Sequence, residues 1–225
     1  MAMTVRRAVI VAVVLSAAAA CNRVTPTAPG APPTVISLTV ACARQAVLAG
    51  EFIICLATAN GLPLYFDPDV TWSSSVPDVL VSLGLGAFMG KSDVQGTITA
   101  AYQGHSASAQ VTVTLQDALQ ATAAAYQGAF KVGTTATMFL QGFYGVASAD
   151  SGSLTIVISD QNGALVNSST PLTVPRGGDR YIISTTFTVP PGATRVCRTG
   201  VLQIGSTTLT VIPVLSLVPC IDITP

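Results

Sequence analysis

The residues with the clearest chemistry in this chain are its five cysteines. Cys21 stands apart at the end of an N-terminal apolar run, and the other four form two groups that are far apart in sequence. If Cys21 is set aside, the simplest pairing joins each group in a local disulfide, Cys42–Cys55 and Cys197–Cys220. A metal site is the alternative, but the spacings are not Cys-x2-Cys and the chain's single histidine lies elsewhere. Disulfides persist only in an oxidising compartment, so this pairing predicts an exported protein.

The N-terminal residues predict a secretory signal. Arg6 and Arg7 precede an apolar run that ends at Ala20, and small residues come directly before Cys21. A basic start, a short apolar run and small residues are typical of signal peptides. As a helix this run would span roughly 20 Å, short of the ~30 Å hydrocarbon core, which argues against a permanent membrane span. We therefore assign residues 1–20 to a signal peptide, with plain secretory cleavage and a twin-arginine export signal as alternatives.

A cysteine directly after small residues resembles the lipobox of bacterial lipoproteins, whose cysteine becomes the lipid-modified N-terminus. Ala18 departs from the pattern, since leucine is usual at that position. The resemblance implies that Cys21 carries lipid, that the membrane is a partner, and that the protein is exported to the cell envelope. The residue after Cys21 is Asn22 and not the aspartate that, at this position, favours retention in the inner membrane of some bacteria. We therefore expect an outer-membrane lipoprotein. The proline-rich residues 21–34 predict an extended, lipid-anchored tether.

Composition restricts the classes of function that the chain can have. Charged residues make up only 9% and aromatic residues 6% of the sequence, and removing the signal leaves a small acidic excess. This balance gives no electrostatic reason to expect a nucleic-acid partner. The sequence contains neither a Gly-x-Ser-x-Gly elbow nor a phosphate-binding Gly-x-x-x-x-Gly-Lys loop. We therefore predict no nucleic acid and no cofactor.

Short segments with alternating apolar and polar residues predict an all-β chain of two tandem Ig-like β-sandwich domains after the signal peptide and linker. The predicted strands of the first domain, residues 35–115, are Val35–Ala41, Phe52–Ala59, Val70–Ser74, Val79–Leu83, Gly96–Tyr102 and Ala107–Thr114. Those of the second, residues 119–225, are Thr135–Phe143, Ser153–Ser159, Ala164–Asn167, Arg180–Val189, Arg195–Ile204 and Thr208–Leu217. Helical spacing is weak throughout, and the nearest candidate is Asp117–Tyr126.

The first domain resembles the group 2 bacterial Ig-like domain. The resemblance rests on the segments Asp69–Ser75, Pro77–Val79, Gly96–Tyr102 and Ser106–Val113. Trp72, the only tryptophan, is expected to pack in the core of this sandwich. Because such domains are common in bacterial surface and adhesion proteins, the resemblance implies a non-enzymatic adhesion, display or scaffold role. The second domain is similar to Ig and fibronectin type III domains in architecture only, which says nothing about function.

Residues suited to catalysis are few. A nucleophile–histidine arrangement would have to use His105, which lies in a predicted hairpin turn. Asp67 and Asp69 could form a carboxylate pair for glycoside hydrolysis, or offer oxygen ligands to calcium. Their spacing across Pro68 is more typical of a solvated turn. We therefore predict that the protein is not an enzyme and has no metal site.

Four arginines in the second domain are the remaining candidates for a binding site. They are Arg176, Arg180, Arg195 and Arg198. Together they could form a basic patch for an anionic surface glycan, for lipid headgroups or for an acidic partner such as an envelope protein. Alternatively, they point in different directions and keep a weakly charged sheet soluble. The patch provides the second functional hypothesis, a carbohydrate- or polysaccharide-binding lipoprotein that uses its C-terminal sandwich.

Overall fold

The computed structural model describes residues 34–35, 37–211 and 220–224. The described chain consists of strands, turns and loops, which confirms the predicted all-β class of Ig-like sandwiches. It contains no helix of the length and hydropathy that a membrane span requires. The predicted signal peptide, the tether and the lipidation site Cys21 lie outside the described residues.

The N-terminal sandwich is built from two sheets. Its strands are β1 (Leu38–Cys42), β2 (Ala46–Leu48), β3 (Phe52–Ala59), β4 (Leu62–Pro63), β5 (Thr71–Ser74), β6 (Leu80–Gly84), β7 (Ala87–Gly90), β8 (Val94–Tyr102) and β9 (His105–Thr114). One sheet has the order β1-β3-β7-β6, with β4 on β3, and the other has the order β2-β9-β8-β5. The chain therefore crosses from one sheet to the other between β1 and β2. Strand β1 pairs antiparallel with β3, whereas β2 pairs parallel with β9 in the second sheet.

The core of this sandwich follows from the alternation of side chains along its strands. In β3 the burial alternates from Ile53, which is fully buried, to Ile54, which is exposed. Ile53 packs with Phe88 and Ile98, which are also fully buried, and Trp72 packs against this core as predicted. Alternation of this kind is expected where one face of a sheet is buried and the other faces water.

The C-terminal sandwich is organised around one long bent strand. Its strands are β10 (Ala118–Gly128), β11 (Thr135–Asp160), β12 (Leu165–Ser168), β13 (Leu172–Thr188), β14 (Arg195–Ile204), β15 (Thr207–Val211) and β16 (Cys220–Asp222). The first part of β11 pairs with β10 and β13, and the part after the bend pairs with β13, β14 and β12. A Cβ built on Gly200 in β14 would lie 2.7 Å from Cδ2 of Leu140 in the first part of β11. The two parts of β11 therefore face each other across a shared core.

One sequence prediction for this sandwich is corrected. The predicted strands Thr135–Phe143 and Ser153–Ser159 are parts of one strand, because β11 pairs with β13 on both sides of the bend, up to Val146 and again from Ser151. The segment with the nearest, though weak, helical spacing lies mostly in strand β10, in agreement with the predicted all-β class. The close backbone contact between β10 and β11 requires a glycine at position 142, since a Cβ there would lie 1.8 Å from the carbonyl oxygen of Gln120.

The turn from Asp160 to Gly163 joins β11 to β12. An Asn-Gly pair allows positive φ at both residues, yet only Gly163 adopts it, with φ of 80°. The backbone N–H of Gly163 donates to the carbonyl oxygen of Asp160 at 3.1 Å. The Asp160 carboxylate accepts the N–H groups of Asn162 and Ala164 at 2.8 and 2.9 Å. These hydrogen bonds favour a tight turn in which Gly163 has the left-handed conformation. Next to this turn, the pairing of β11 with β12 shifts register between Ile158 and Ser159.

Asp117 stabilises the bend of β11. Its carboxylate accepts hydrogen bonds from the hydroxyl of Ser148, from the N–H of Ala147 at 2.7 Å and from the N–H of Ser148 at 3.0 Å. The Ser148 hydroxyl is the main cause that holds the pKa of Asp117 below its ordinary value, and the two backbone donors act in the same direction against partial burial. The ionised carboxylate is therefore the form that stabilises the bend.

We expect Asp117→Ala to lower the free energy of unfolding by about 1–2 kcal/mol at neutral pH, because three donors lose their acceptor. A carboxyl group with a depressed folded-state pKa stabilises above its unfolded pKa, and the contribution is lost as the pH falls through the folded value. The difference between parent and variant should thus shrink below pH 3.8. Urea unfolding across this range measures it, with exposed Asp150→Ala on the same bend as control. An effect that stays constant down to pH 2 would contradict this account.

Both predicted disulfides are present. Cys42 lies directly opposite Cys55 in the β1–β3 pair, and the two are bonded. Cys197 lies directly opposite Cys220 in the β14–β16 pair and is bonded to it. Each bond closes a short stretch of chain, 13 and 23 residues respectively.

Peptide mass spectrometry without reduction should recover these two local bridges. Removing the bridge of Cys197 and Cys220 by alanine substitution of both should lower the free energy of unfolding by about 3 kcal/mol, from the loop entropy returned to the unfolded chain. Removing Cys42–Cys55 should cost slightly less because its loop is shorter. A bridge between Cys42 and Cys220 would refute the pairing.

The two sandwiches meet through backbone contacts. The N–H of Gly178 in β13 donates to the carbonyl oxygen of Lys91 at 2.7 Å, and the Lys91 ammonium lies 3.9 Å from the Asp179 carboxylate. The guanidinium of Arg180 lies 5.0 Å from the ring centre of Phe52. From Val35 onward the described residues accordingly form one compact unit. The boundaries at residues 115 and 119 remain a prediction.

Candidate functional site

Arg198, one of the four predicted patch residues, lies inside the C-terminal sandwich. Only 1% of its surface is exposed. Its Nη1 donates to the carbonyl oxygens of Ala125 in β10 and of Phe139 in β11, the latter at 3.2 Å. Because Arg198 belongs to β14, these bonds join one layer of the sandwich to the other. The expectation that Arg198 belongs to a surface patch is thus corrected: its guanidinium satisfies buried carbonyl groups, and burial lowers its pKa.

The other three arginines are exposed but have separate surroundings. Arg180 lies over Phe52 at the contact between the sandwiches, on a strand paired with the first part of β11. Arg195 begins β14 in the opposite layer, where its Nε donates to the Asp222 carboxylate at 2.7 Å. This hydrogen bond and the charge of Asp222 raise the pKa of Arg195. Arg176 lies beside the bend. The structure thus gives each arginine its own environment.

Arg195 lines an open depression of about 390 Å³ on the C-terminal sandwich. Its lining consists of Gln161, Thr194, Arg195, Cys197, Cys220 and Asp222. The Gln161 side chain is held in place, since its Oε1 accepts the N–H of Thr194 at 3.1 Å. The disulfide forms an apolar wall beside the exposed ion pair of Arg195 with Asp222. Charged and amide groups next to a small apolar surface can hydrogen-bond a polyhydroxyl ligand.

His105, Asp67 and Asp69 occupy the turns predicted for them. His105 is exposed at the start of β9 and lies opposite Tyr102 in the tight turn between β8 and β9. Asp67 accepts the N–H of Asp69 at 2.9 Å, which is the hydrogen bond of an aspartate turn. Partial burial, and then the Asp67 carboxylate, raise the pKa of the Tyr102 hydroxyl. Within the described residues no three His, Cys, Asp or Glu side chains are grouped so that they could hold a metal ion.

One exposed surface was missed by the sequence analysis. Strand β4 and the segment that follows it carry three exposed apolar side chains. The exposed fractions of Leu62, Tyr65 and Phe66 are 69%, 67% and 75%. We call these three residues the apolar loop. Phe66 has φ of 54°, which is uncommon for a bulky side chain and costs free energy. A sequence signal was available, because no charged residue occurs between Glu51 and Asp67 although about half of the residues in this stretch are exposed.

The comparisons with known proteins concern the fold alone. No protein-family model and no curated protein matches the sequence. Among solved structures, the chain is similar to the C-terminal domain of wzt, with 10% identity over 43% of this chain and 69% of that one, at a TM-score of 0.31. It is also similar to domains 4 and 5 of the S-layer protein SbsC, with 16% identity over 80% and 97% of the two chains, at a TM-score of 0.30. For bovine butyrophilin the identity is 8%, the coverage 84% and 99%, and the TM-score 0.27. Functional proposals therefore rest on this chain's own residues.

Proposed function

We propose that this protein is a non-enzymatic, lipid-anchored protein of the cell envelope, whose Ig-like sandwiches serve adhesion, display or scaffolding. The observation that carries the proposal is the pairing of cysteines. Four of the five are used in the bonds Cys42–Cys55 and Cys197–Cys220, and the remaining one is Cys21. Two disulfides favour an oxidising compartment. A single leftover cysteine in an exported chain calls for a separate role, and Cys21 follows a signal-like segment.

The contact between the sandwiches supports a display or scaffold role. A backbone hydrogen bond, an ion pair and the Arg180–Phe52 contact fix one sandwich against the other. Two modules joined in this way hold a surface at a defined orientation, whereas a flexible joint would not. The predicted tether of residues 21–34 would separate this unit from the lipid surface by roughly 40 Å when extended.

Metabolic labelling with a palmitate analogue tests the lipid anchor. The parent protein should be labelled and should remain with the membrane fraction, and Cys21→Ser should lose both properties. The matched control replaces Cys42 and Cys55 together by serine, which removes two cysteines but should leave the label. An unlabelled parent protein, or a label that persists in Cys21→Ser, would refute the anchor.

Capture of cross-linked partners from intact cells tests the adhesion, display or scaffold role. The labelled parent protein should recover an envelope component that Cys21→Ser, released from the membrane, does not. Recovery of the same component by both forms would show that the partner does not depend on display at the membrane.

The depression around Arg195 favours a second candidate function, binding of a surface carbohydrate by the C-terminal sandwich. The exposed pair of Arg195 and Asp222 and the fixed amide of Gln161 offer donors and acceptors at one place. On a glycan array, binding that is lost in Arg195→Ala and kept in Arg180→Ala would support this site. Arg180 is a suitable control because it contacts Phe52 instead. An array without binding to the parent protein would remove the candidate.

A further inference from the structure

The apolar loop lies next to the place where the preceding chain joins the fold. The N–H of Ser37 donates to Oδ1 of Asn60 at 3.1 Å, and the N–H of Asn60 donates to the carbonyl oxygen of Ser37 at 2.9 Å. Asn60 is in the turn that leads directly to Leu62. The chain that connects Cys21 to the fold therefore arrives beside Leu62, and over this number of residues it can reach at most on the order of 50 Å.

The same loop lies away from the C-terminal sandwich along β3. Phe52, at the start of β3, is covered by Arg180, whereas Ala59, at the end of β3, pairs with Leu62. The end of the N-terminal sandwich that receives the chain from Cys21 is thus the end that exposes the apolar loop. If Cys21 is held at a surface, the entry of the chain at Ser37 puts this end of the sandwich within reach of that surface.

The charges around the loop restrict the chemistry of its partner. The sequence contains no lysine or arginine between Arg44 and Lys91. Directly beyond Phe66 come Asp67 and Asp69, and the Asp67 carboxylate acts on the Tyr102 hydroxyl. This part of the chain carries acidic and no basic residues, so it gives no electrostatic attraction to anionic lipid. Its leucine and aromatic side chains suit the interface of a bilayer with zwitterionic headgroups, where tyrosine places its ring in the apolar region and its hydroxyl in water.

We propose that the apolar loop inserts into the zwitterionic phospholipid surface to which Cys21 is attached, and so orients the N-terminal sandwich on the bilayer. The inference deepens the proposed function and rests on its lipid anchor for proximity, because attachment at Cys21 raises the local concentration of the loop at the membrane. Insertion would remove the three exposed apolar side chains from water. It would also account for the positive φ of Phe66, a backbone conformation that costs free energy and leaves the ring exposed in the fold by itself.

Fluorescence quenching by brominated phosphatidylcholine tests the inference on the full exported protein in vesicles. Phe66→Trp places a reporter in the loop, and Leu165→Trp is the matched control, because Leu165 is similarly exposed, 69% against 75% for Phe66, but lies in the C-terminal sandwich. After subtraction of the Trp72 signal, we expect quenching at Phe66→Trp to be at least threefold greater than at Leu165→Trp. Replacing half of the phosphatidylcholine by phosphatidylglycerol should reduce it. Equal quenching of the two reporters, or stronger quenching in anionic vesicles, would overturn the inference.

The mass of the Cys21 peptide from the same sample separates this inference from the anchor. A lipid-modified Cys21 with no preferential quenching refutes insertion and leaves the anchor standing. An unmodified Cys21 with preferential quenching on added vesicles refutes the anchor and supports insertion. A reporter that responds to an oligosaccharide from the cell surface and not to vesicles would overturn the inference in favour of a glycan partner.

Discussion

Arg198→Ala is expected to lower the free energy of unfolding by about 3 kcal/mol or more, a large effect for a single substitution. The side chain is 1% exposed, so its removal leaves a cavity between the layers of the sandwich. It also deprives the carbonyl oxygens of Ala125 and Phe139 of a buried donor, and an unsatisfied buried polar group costs about 1–3 kcal/mol.

Chemical denaturation in urea measures this effect, and two further variants separate its causes. Arg176→Ala removes an exposed arginine and should change the stability by no more than about 0.5 kcal/mol. Arg198→Met keeps most of the volume but not the donors, so it should fall between the parent and Arg198→Ala. If Arg198→Met were more stable than the parent, desolvation of the guanidinium would outweigh its hydrogen bonds, as happens for some buried charges.

Gly178→Ala is the second substitution with a large expected effect. A Cβ at this position would lie 2.3 Å from the carbonyl carbon of Ala49 and 2.5 Å from the amide nitrogen of Gly50. Both atoms are backbone, so the contact cannot be relieved by a side-chain rotation. We expect the sandwiches to separate at this point, with loss of the Gly178–Lys91 hydrogen bond and about 2–3 kcal/mol of stability.

Amide hydrogen exchange should locate this change at the contact between the sandwiches. In Gly178→Ala, exchange should accelerate at residues 49–52, 90–92 and 178–180 and remain at the parent rate in the strands of both cores. Gly192→Ala is the control, because nothing lies within 4 Å of a Cβ there and only its φ of 79° opposes the substitution. Unchanged exchange at residues 178–180 would show that the contact tolerates the methyl group.

The strands of the N-terminal sandwich were largely predictable, because each is short and has one buried face. Phe52–Ala59 was predicted with the bounds that β3 has. The strands that were missed, such as β2 and β4, have three and two residues, too few for a period of two to be recognised. The bend in β11 also escaped prediction, since it depends on the Asp117 carboxylate, which lies about thirty residues away in sequence and reaches Ser148 only in the folded chain.

The candidate sites were less predictable than the fold. The burial of Arg198 could have been inferred from the alternation of side chains along β14. Arg198 lies on the same face of this strand as Val196, Gly200 and Leu202, which are buried. The contact of Arg180 with Phe52 could not, since nothing local to either residue indicates how the two sandwiches meet. The pairing of the cysteines was predictable because each bond joins neighbours along the chain.

The positions of the two disulfides determine how the fold would carry a pulling force. β1 is the first described strand and β16 the last, and each is covalently joined to a strand that lies further inside its sheet. Tension applied through the chain before Ser37 can peel β1 only as far as Cys42, where the load passes to β3 without breaking a hydrogen bond beyond it. Tension from the other end passes from Cys220 to β14 in the same way. Once β1 and β16 have been peeled to these cysteines, further unfolding under tension must begin between the two disulfides.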